Sequence, residues 1–335
     1  MAQQQELLQV QLGNETTWGV DPATPVGDWR KLPGITDVSL SPMIEIADFP
    51  TLEGLAPIYN AAIVKDGGEA SISGILNFED LPLWLDSLMG EDAVPVGAGA
   101  PYKYVYAAPH AAAVVDPKSY TLYYGTATSG YQLLGAMVNT LEISGSSGEA
   151  LQLSLGFVGK QVVADAAPQT PVDRAVNMAI ASDVALWIGN GLTGTYPGTA
   201  WTCTAYSFSI SITANRSLIY ALGSIVPCDT YHQRFDGTLD LTLEFPGDAS
   251  KTKTLLNALL SGPTLQQQNI RLKVTLDATH SVQFDFAGTL MDPPDIFTDS
   301  DGISTVDMSW KGTYDDTQTT WLDVEVENAI SLMWP

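Results

Sequence analysis

The sequence predicts a mainly β chain built from two tandem copies of one module, each with a single short flanking helix. Three observations predict it. Long stretches alternate apolar with polar residues and are rich in Thr, Val, Tyr and Ile, as antiparallel strands with one buried face are. Helical spacing appears in two short segments, LWLDSLMG from Leu83 to Gly90 and LLNALLSG from Leu255 to Gly262. Around both segments the same elements recur in the same order. Strands open at Val38 and Phe208 (170 residues apart), strands end at Phe78 and Phe245 (167 apart), and closing strands begin at Leu151 and Val306 (155 apart). The helices themselves are 172 apart. Order is kept while loop lengths drift, as in a diverged repeat.

Each element has its own justification. LLQVQL, Leu7 to Leu12, alternates as a first strand. The Gly- and Pro-rich stretch after it is a surface loop or an arm packed on a neighbour, and Trp18 and Trp29 favour the arm, since two tryptophans in a loop need something to bury them. A strand over 35–42 leads into Met43 to Asp66, which is apolar but aperiodic and reads as a long loop. Its counterpart runs from Thr213 to Gln233. Phe49, Leu52, Leu55, Ile58 and Tyr59 in the first, and Leu218, Ile219, Tyr220, Leu222 and Ile225 in the second, suit a contact surface or a loop folded back on its own core.

Asp80 is placed to cap the first helix, Pro82 sits in its first turn and Gly90 is its stop. Leu81, Trp84, Leu85 and Leu88 form one apolar face, matched by Leu255, Leu256, Leu259 and Leu260 before Gly262. Both helices read as core packing. YKYVYA, SYTLYYG, YQLLGAMVNTLEIS and ALQLSLGFV supply further strands of the first copy. IRLKVTLD, VQFDFAGTLM, TVDMSWKGTY and the final LDVEVENAISLMWP supply those of the second. The junction lies near Pro168 and Pro171, giving domains 1–165 and 166–335.

The net charge is −24, from 38 acids and 14 bases, and both copies share it: 19 acids against 6 bases up to Asp165, then 19 against 8. A surface this negative repels phosphate and does not grip nucleic acid, though DNA can slide past it. On FDGTLDLTLEF, Asp236, Asp240 and Glu244 share one face and Leu239, Leu241, Leu243 and Phe245 the other. The acidic face is outer solvent or a channel wall. The matching strand, GEASISGILNF, carries Glu69 and then small polar residues, so a negative lining is expected to be unequal between the copies.

Motifs for catalysis fail on inspection. GNGLTG, from Gly189, resembles a dinucleotide fingerprint, but Pro197 and Gly198 forbid the helix it requires. Asp292, Asp295, Asp299 and Asp301 lack the spacing and closing glutamate of a calcium loop. His110, His232 and His280 are scattered, with no zinc spacing, and Cys203 and Cys228 make no disulfide framework. No enzyme, cofactor or metal site is expected. The first residues lack the features of a signal peptide, and no apolar run reaches the roughly 20 residues of a membrane helix, so a chain made and assembled in the cytoplasm is expected.

ETTWG at Glu15 to Gly19, VSLSPMIEI with its long loop, GEASISGILNF and LWLDSLMG together resemble the tail tube (major tail) proteins of long non-contractile-tailed bacteriophages. The resemblance is best over 7–160, with the rest a diverged duplicate lacking an ETTWG counterpart. It implies tail-tube domains that are each a β-sandwich or partial barrel flanked by one helix. It also implies six domains per ring, hence three chains of two domains, in stacked rings that form a hollow tube in the virion tail and conduct DNA during ejection. The long loops and terminal arms would lock ring on ring, and the implied partners are further copies, a tape measure protein and tail terminator or tip proteins. A duplicated carbohydrate-binding or decoration module, and a secretion-system tube, remain as alternatives.

Overall fold

A computed structural model describes residues 8–22, 29–49, 60–90, 95–97, 99–109, 117–126, 128–166, 169, 171, 175–190, 201, 205–245, 251–260, 267–291, 294–300, 302–315, 319–331 and 334. The first half contains β1 (Gln9–Asn14), β2 (Trp29–Lys31), β3 (Ile35–Phe49), β4 (Asn60–Ile75), α1 (Leu81–Met89), β5 (Tyr102–Ala107), β6 (Tyr120–Gly125), β7 (Gly130–Ser146), β8 (Gln152–Gly159) and β9 (Gln161–Ala166). The second half contains β10 (Val184–Asn190), β11 (Ala205–Thr213), β12 (Arg216–Ile219), β13 (Asp229–His232), β14 (Asp236–Glu244), α2 (Lys251–Leu260), β15 (Gln267–Thr275), β16 (Ser281–Leu290), β17 (Asp295–Ser300), β18 (Ile303–Gly312) and β19 (Leu322–Asn328). The chain is mainly β, in one large open antiparallel sheet, as alternation in the sequence requires.

Strand pairing follows the same order in both halves. β3–β4–β8–β7 is answered by β11–β14–β18–β17, and β1–β6–β7–β9 by β10–β15–β16–β19. The irregularities also coincide. One falls at Ile35/Asp37 opposite Gly74 and Ser73, and another at Ala205/Ser207 opposite Leu243 and Thr242. Farther along, β3 slips between Glu45 and Ile46, and in the second half β11 gives way to β12 between Thr213 and Arg216. These landmarks equate Ile35 with Ala205, 170 positions on, and Gly74 with Leu243, 169 on.

The buried faces of the sheets meet in one continuous core, from Leu12, Ile72, Tyr120 and Leu155 through Ile210 and Leu239 to Phe284 and Trp310. In α1 all nine residues are buried, not one stripe. Trp84 packs edge-on to Phe157 at 5.8 Å, the Tyr120 hydroxyl donates to the Leu83 carbonyl at 3.1 Å, and the Tyr106 hydroxyl donates to Asp86 at 2.7 Å. The expected Asp80 cap is not formed, because its carboxylate accepts the Asn77 amide at 2.8 Å. In α2, Thr252, Leu255 and Leu256 are buried, and Gly262 lies outside the described residues.

ETTWG folds into its own half as a staple. The Glu15 carboxylate is 5% exposed and accepts four hydrogen bonds: from Gly19 N–H at 2.8 Å and from the Ser119 hydroxyl, Thr121 hydroxyl and Gly135 N–H at 2.7 Å each. The Trp18 indole donates to the Gly135 carbonyl at 3.1 Å, with the Lys160 ammonium over its ring. Gly135 has φ 64°, and a Cβ there would lie 2.7 Å from that indole, so both backbone and space demand glycine.

A carboxylate that receives four donors cannot be replaced by an amide without turning an NH2 group onto two of them. Glu15→Gln is therefore expected to destabilise the chain by about 3 kcal/mol, read as a lower denaturation midpoint.

Candidate assembly surfaces

One face of β3–β4–β8–β7–β11–β14–β18 is mostly polar, with Val158 beside Glu69 as an apolar exception. On β14, Gly237, Leu239, Leu241 and Leu243 are buried, while Asp236, Thr238, Asp240, Thr242 and Glu244 take the other face. Register places Ser209 beside Asp240, and Ser211 beside Glu142. The Ser209 hydroxyl donates to Glu142 at 3.0 Å and the Thr242 hydroxyl to Asp307 at 2.7 Å. Asp37, Ser39, Glu69 and Ser71 continue the face on β3 and β4, and of its acids Asp37, Glu69, Glu142, Asp236, Asp240, Glu244 and Asp307 all but Asp236 and Glu244 are exposed. The first half thus brings Asp37 and Glu142 as well as Glu69, three acids against the four of the second half, Asp236, Asp240, Glu244 and Asp307.

This sheet crosses the middle of the chain. β7 and β11 pair antiparallel from Ser146↔Ser207 to Thr140↔Thr213, joining the halves by backbone hydrogen bonds. Among the described residues, β3 pairs with β4 alone and β17 with β18 alone, so the sheet ends in two open edges. β5 of the first half also joins β19 of the second.

The stretches read as long loops are β-hairpins. β3 and β4 extend to Phe49 and from Asn60, and β12 pairs with β13. They hid from periodicity because a hairpin projecting beyond its sheet has no single buried face. The second hairpin lies on the first half. Leu218 and Tyr220 approach Gly67 so closely that a Cβ there would lie 2.8 Å from each. Asp66 N–H donates to the Ile225 carbonyl at 2.8 Å, and the Lys65 ammonium stands 5.6 Å from the Tyr220 ring centre. Ile219 and Leu222 are exposed. Leu52, Leu55, Ile58 and Tyr59 lie outside the described residues, as does the Phe49 side chain. Trp29 is 2% exposed inside its own half, and the half-buried Trp18 is held to its own chain by the staple.

Arg216 escapes sequence analysis altogether. Its guanidinium, 6% exposed, donates to the carbonyls of Val138, Ser87 and Leu88, each at 2.9 Å. It thereby satisfies the C-terminal carbonyls of α1, and burial pushes its pKa down to about 10, still charged at neutral pH. None of the eight tryptophans is exposed, which leaves no indole face on the polar sheet for stacking sugar rings.

The sequence profile of a family described as phage tail tube protein matches residues 7–312. The chain belongs to that family. No curated protein matches it. As a phage tail tube family member the chain has a structural role in the virion tail, in a family that self-assembles into a tube. The family is structural rather than enzymatic, and no helix among the described residues is long and apolar enough to cross a membrane.

The opposite sheet of the second half carries a denser charge cluster. Arg271 grips Asp285 through two bonds of 2.6 and 2.8 Å, and Lys103 pairs with Glu325 at 2.8 Å. Asp323, across from Asp285, has its pKa raised to about 6 by burial and then by Asp285 and Glu325. A raised acid pKa costs stability once the group ionises, so stability falls as pH rises from 3.8 through 6. Asp323→Asn is expected to melt a few degrees above the natural protein at pH 8, with the gap closing as pH falls below 6.

Proposed function

We propose that each chain is a tandem pair of tube modules, and that three chains close a pseudo-sixfold ring whose stacked copies form a hollow tube conducting DNA. The observation that carries this reading is the β7–β11 junction together with the open edges of β3 and β17. An open edge is stable in solution only if it is protected or paired. β11 stands where β3 does and β17 where the end of β7 does, so repeating the internal junction lays β17 of one chain beside β3 of the next. The internal pair Glu142↔Ser211 then becomes Asp295↔Ser41 between chains. Such a head-to-tail contact closes a ring when its rotation divides the circle.

In this ring the polar face lines the bore. Seven acids per chain against one lysine, Lys311, set among Ser and Thr, repel phosphate, so DNA passes without specific binding. The hairpin ends, with Leu222 fully exposed and Ile219 beside it, would meet the next ring, together with Phe49, Leu52, Leu55, Ile58 and Tyr59; Leu218 and Tyr220 hold the second hairpin on its own chain. The family resemblance adds tape measure and terminator or tip proteins as partners, and assembly in the host cytoplasm.

Cysteines at Ser41 and Asp295 test the seam. Assembled tubes of the double variant, oxidised, are expected to yield disulfide-linked trimers, and each single variant none; monomers alone from the double variant would refute the seam. Charge reversal tests the bore. Asp240→Lys with Glu244→Lys should leave assembly intact but slow DNA ejection at low salt, because each cation pairs with passing phosphate. Ejection at the natural rate would put this face outside the bore.

A further inference from the structure

The two hairpins occupy equivalent positions but carry opposite chemistry. Pairing of Arg216 with His232 corresponds to pairing of Ile46 with Ile63, since 46 and 216 are 170 apart and 63 and 232 are 169 apart, the offsets fixed by the shared bulges. Within the chain, the Arg216 and His232 end of the second hairpin rests on the first half. Arg216 reaches the α1 carbonyls, and its N–H donates to the Asn139 side chain at 2.7 Å. Among the described residues Ile46 and Ile63 have nothing comparable, and they stand 61% and 47% exposed. Met43 and Ile44 beside them are exposed as well.

The receiving side changes in the same sense. Val138 faces Phe157 on β8, and Leu290 faces Trp310 on β18. The residue after Val138 is Asn139, and the residue after Leu290 is Met291, 45% exposed. Where one junction sets a polar Arg216 on a polar Asn139, the other offers an apolar Ile46 and an apolar Met291. Both halves of an interface have been exchanged together, although the second is not made within one chain.

We propose that the β3–β4 hairpin lies sideways across the second half of a second copy of this chain in the same ring, seating Ile46 and Ile63 over Met291. This rests on the tube reading and adds a direction to it: the flank of the hairpin is a lateral contact, distinct from any contact its tip makes along the tube. Each ring then alternates three polar seams inside chains with three apolar seams between them. An apolar seam needs no partner for a buried charge while the chain is alone, whereas an arginine awaiting a neighbour would have to shed its water at assembly.

Ile46→Asp and Met291→Asp, each at an exposed site, should leave the melting temperature of the isolated chain unchanged. Each should raise the protein concentration needed for half-maximal tube formation about tenfold or more. Ile46→Cys combined with Met291→Cys should, in oxidised tubes, give linked species that stop at the trimer. Tubes from Ile46→Asp at the natural concentration would overturn the inference alone. So would normal rings that no longer stack, or linked ladders longer than three, either of which makes the contact axial. Absence of tubes from the natural protein would refute the tube reading and this inference together.

Discussion

Pairing of β7 with β11 carries the sheet of the first half into the second without a break, so the halves share one hydrogen-bonded ladder instead of meeting through side chains. Backbone groups need partners wherever they are buried, and a ladder supplies them at every residue. The rest of the molecule is arranged around that continuity. β5 crosses to β19, Arg216 crosses to the end of α1, and Asn328 donates to the Phe78 carbonyl. His280, held by Asp277, reaches Glu79 at 2.9 Å. A chain of two independent beads would need none of these ties.

The ladder also separates two environments. Beneath it lie large apolar side chains and a wholly buried helix. Above it lie Ser, Thr and carboxylates whose hydrogen bonds are mostly to one another, as in Ser209 with Glu142 and Thr242 with Asp307. Short hydroxyl side chains keep such a surface flat, and the acids keep it from holding other anions.

Much of this was legible in the sequence because strands with one wet and one dry face write their geometry as alternation. FSISI, LTLEF and VDMS were readable for that reason, as were α1 and α2 from their leucine spacing. Hairpin flanks were not, since Met43, Ile44, Ile46 and Ile63 sit on strands that leave the sheet and lose the alternation. Arg216 carried no signal in the sequence, and only the fold shows three carbonyls converging on it. Glu15 was visible as part of a motif, yet three of its four donors come from two distant segments, 119–121 and Gly135, that no spacing could connect. Asp37 and Glu142 were hidden for a simpler reason: one strand read in isolation does not reveal which neighbours share its face.

The covalent link across β7 and β11 has a kinetic consequence. Two segments on one chain meet at an effective concentration in the millimolar range or above, far higher than separate proteins reach. The inner junction is therefore completed as the chain folds, before any encounter with another molecule. In the proposed ring, half of the seams are unimolecular, and closure requires a third-order rather than a sixth-order gathering of parts. Dilute chains would wait as folded units with every internal seam made, and the onset of growth would depend less steeply on concentration than for a tube built from single modules.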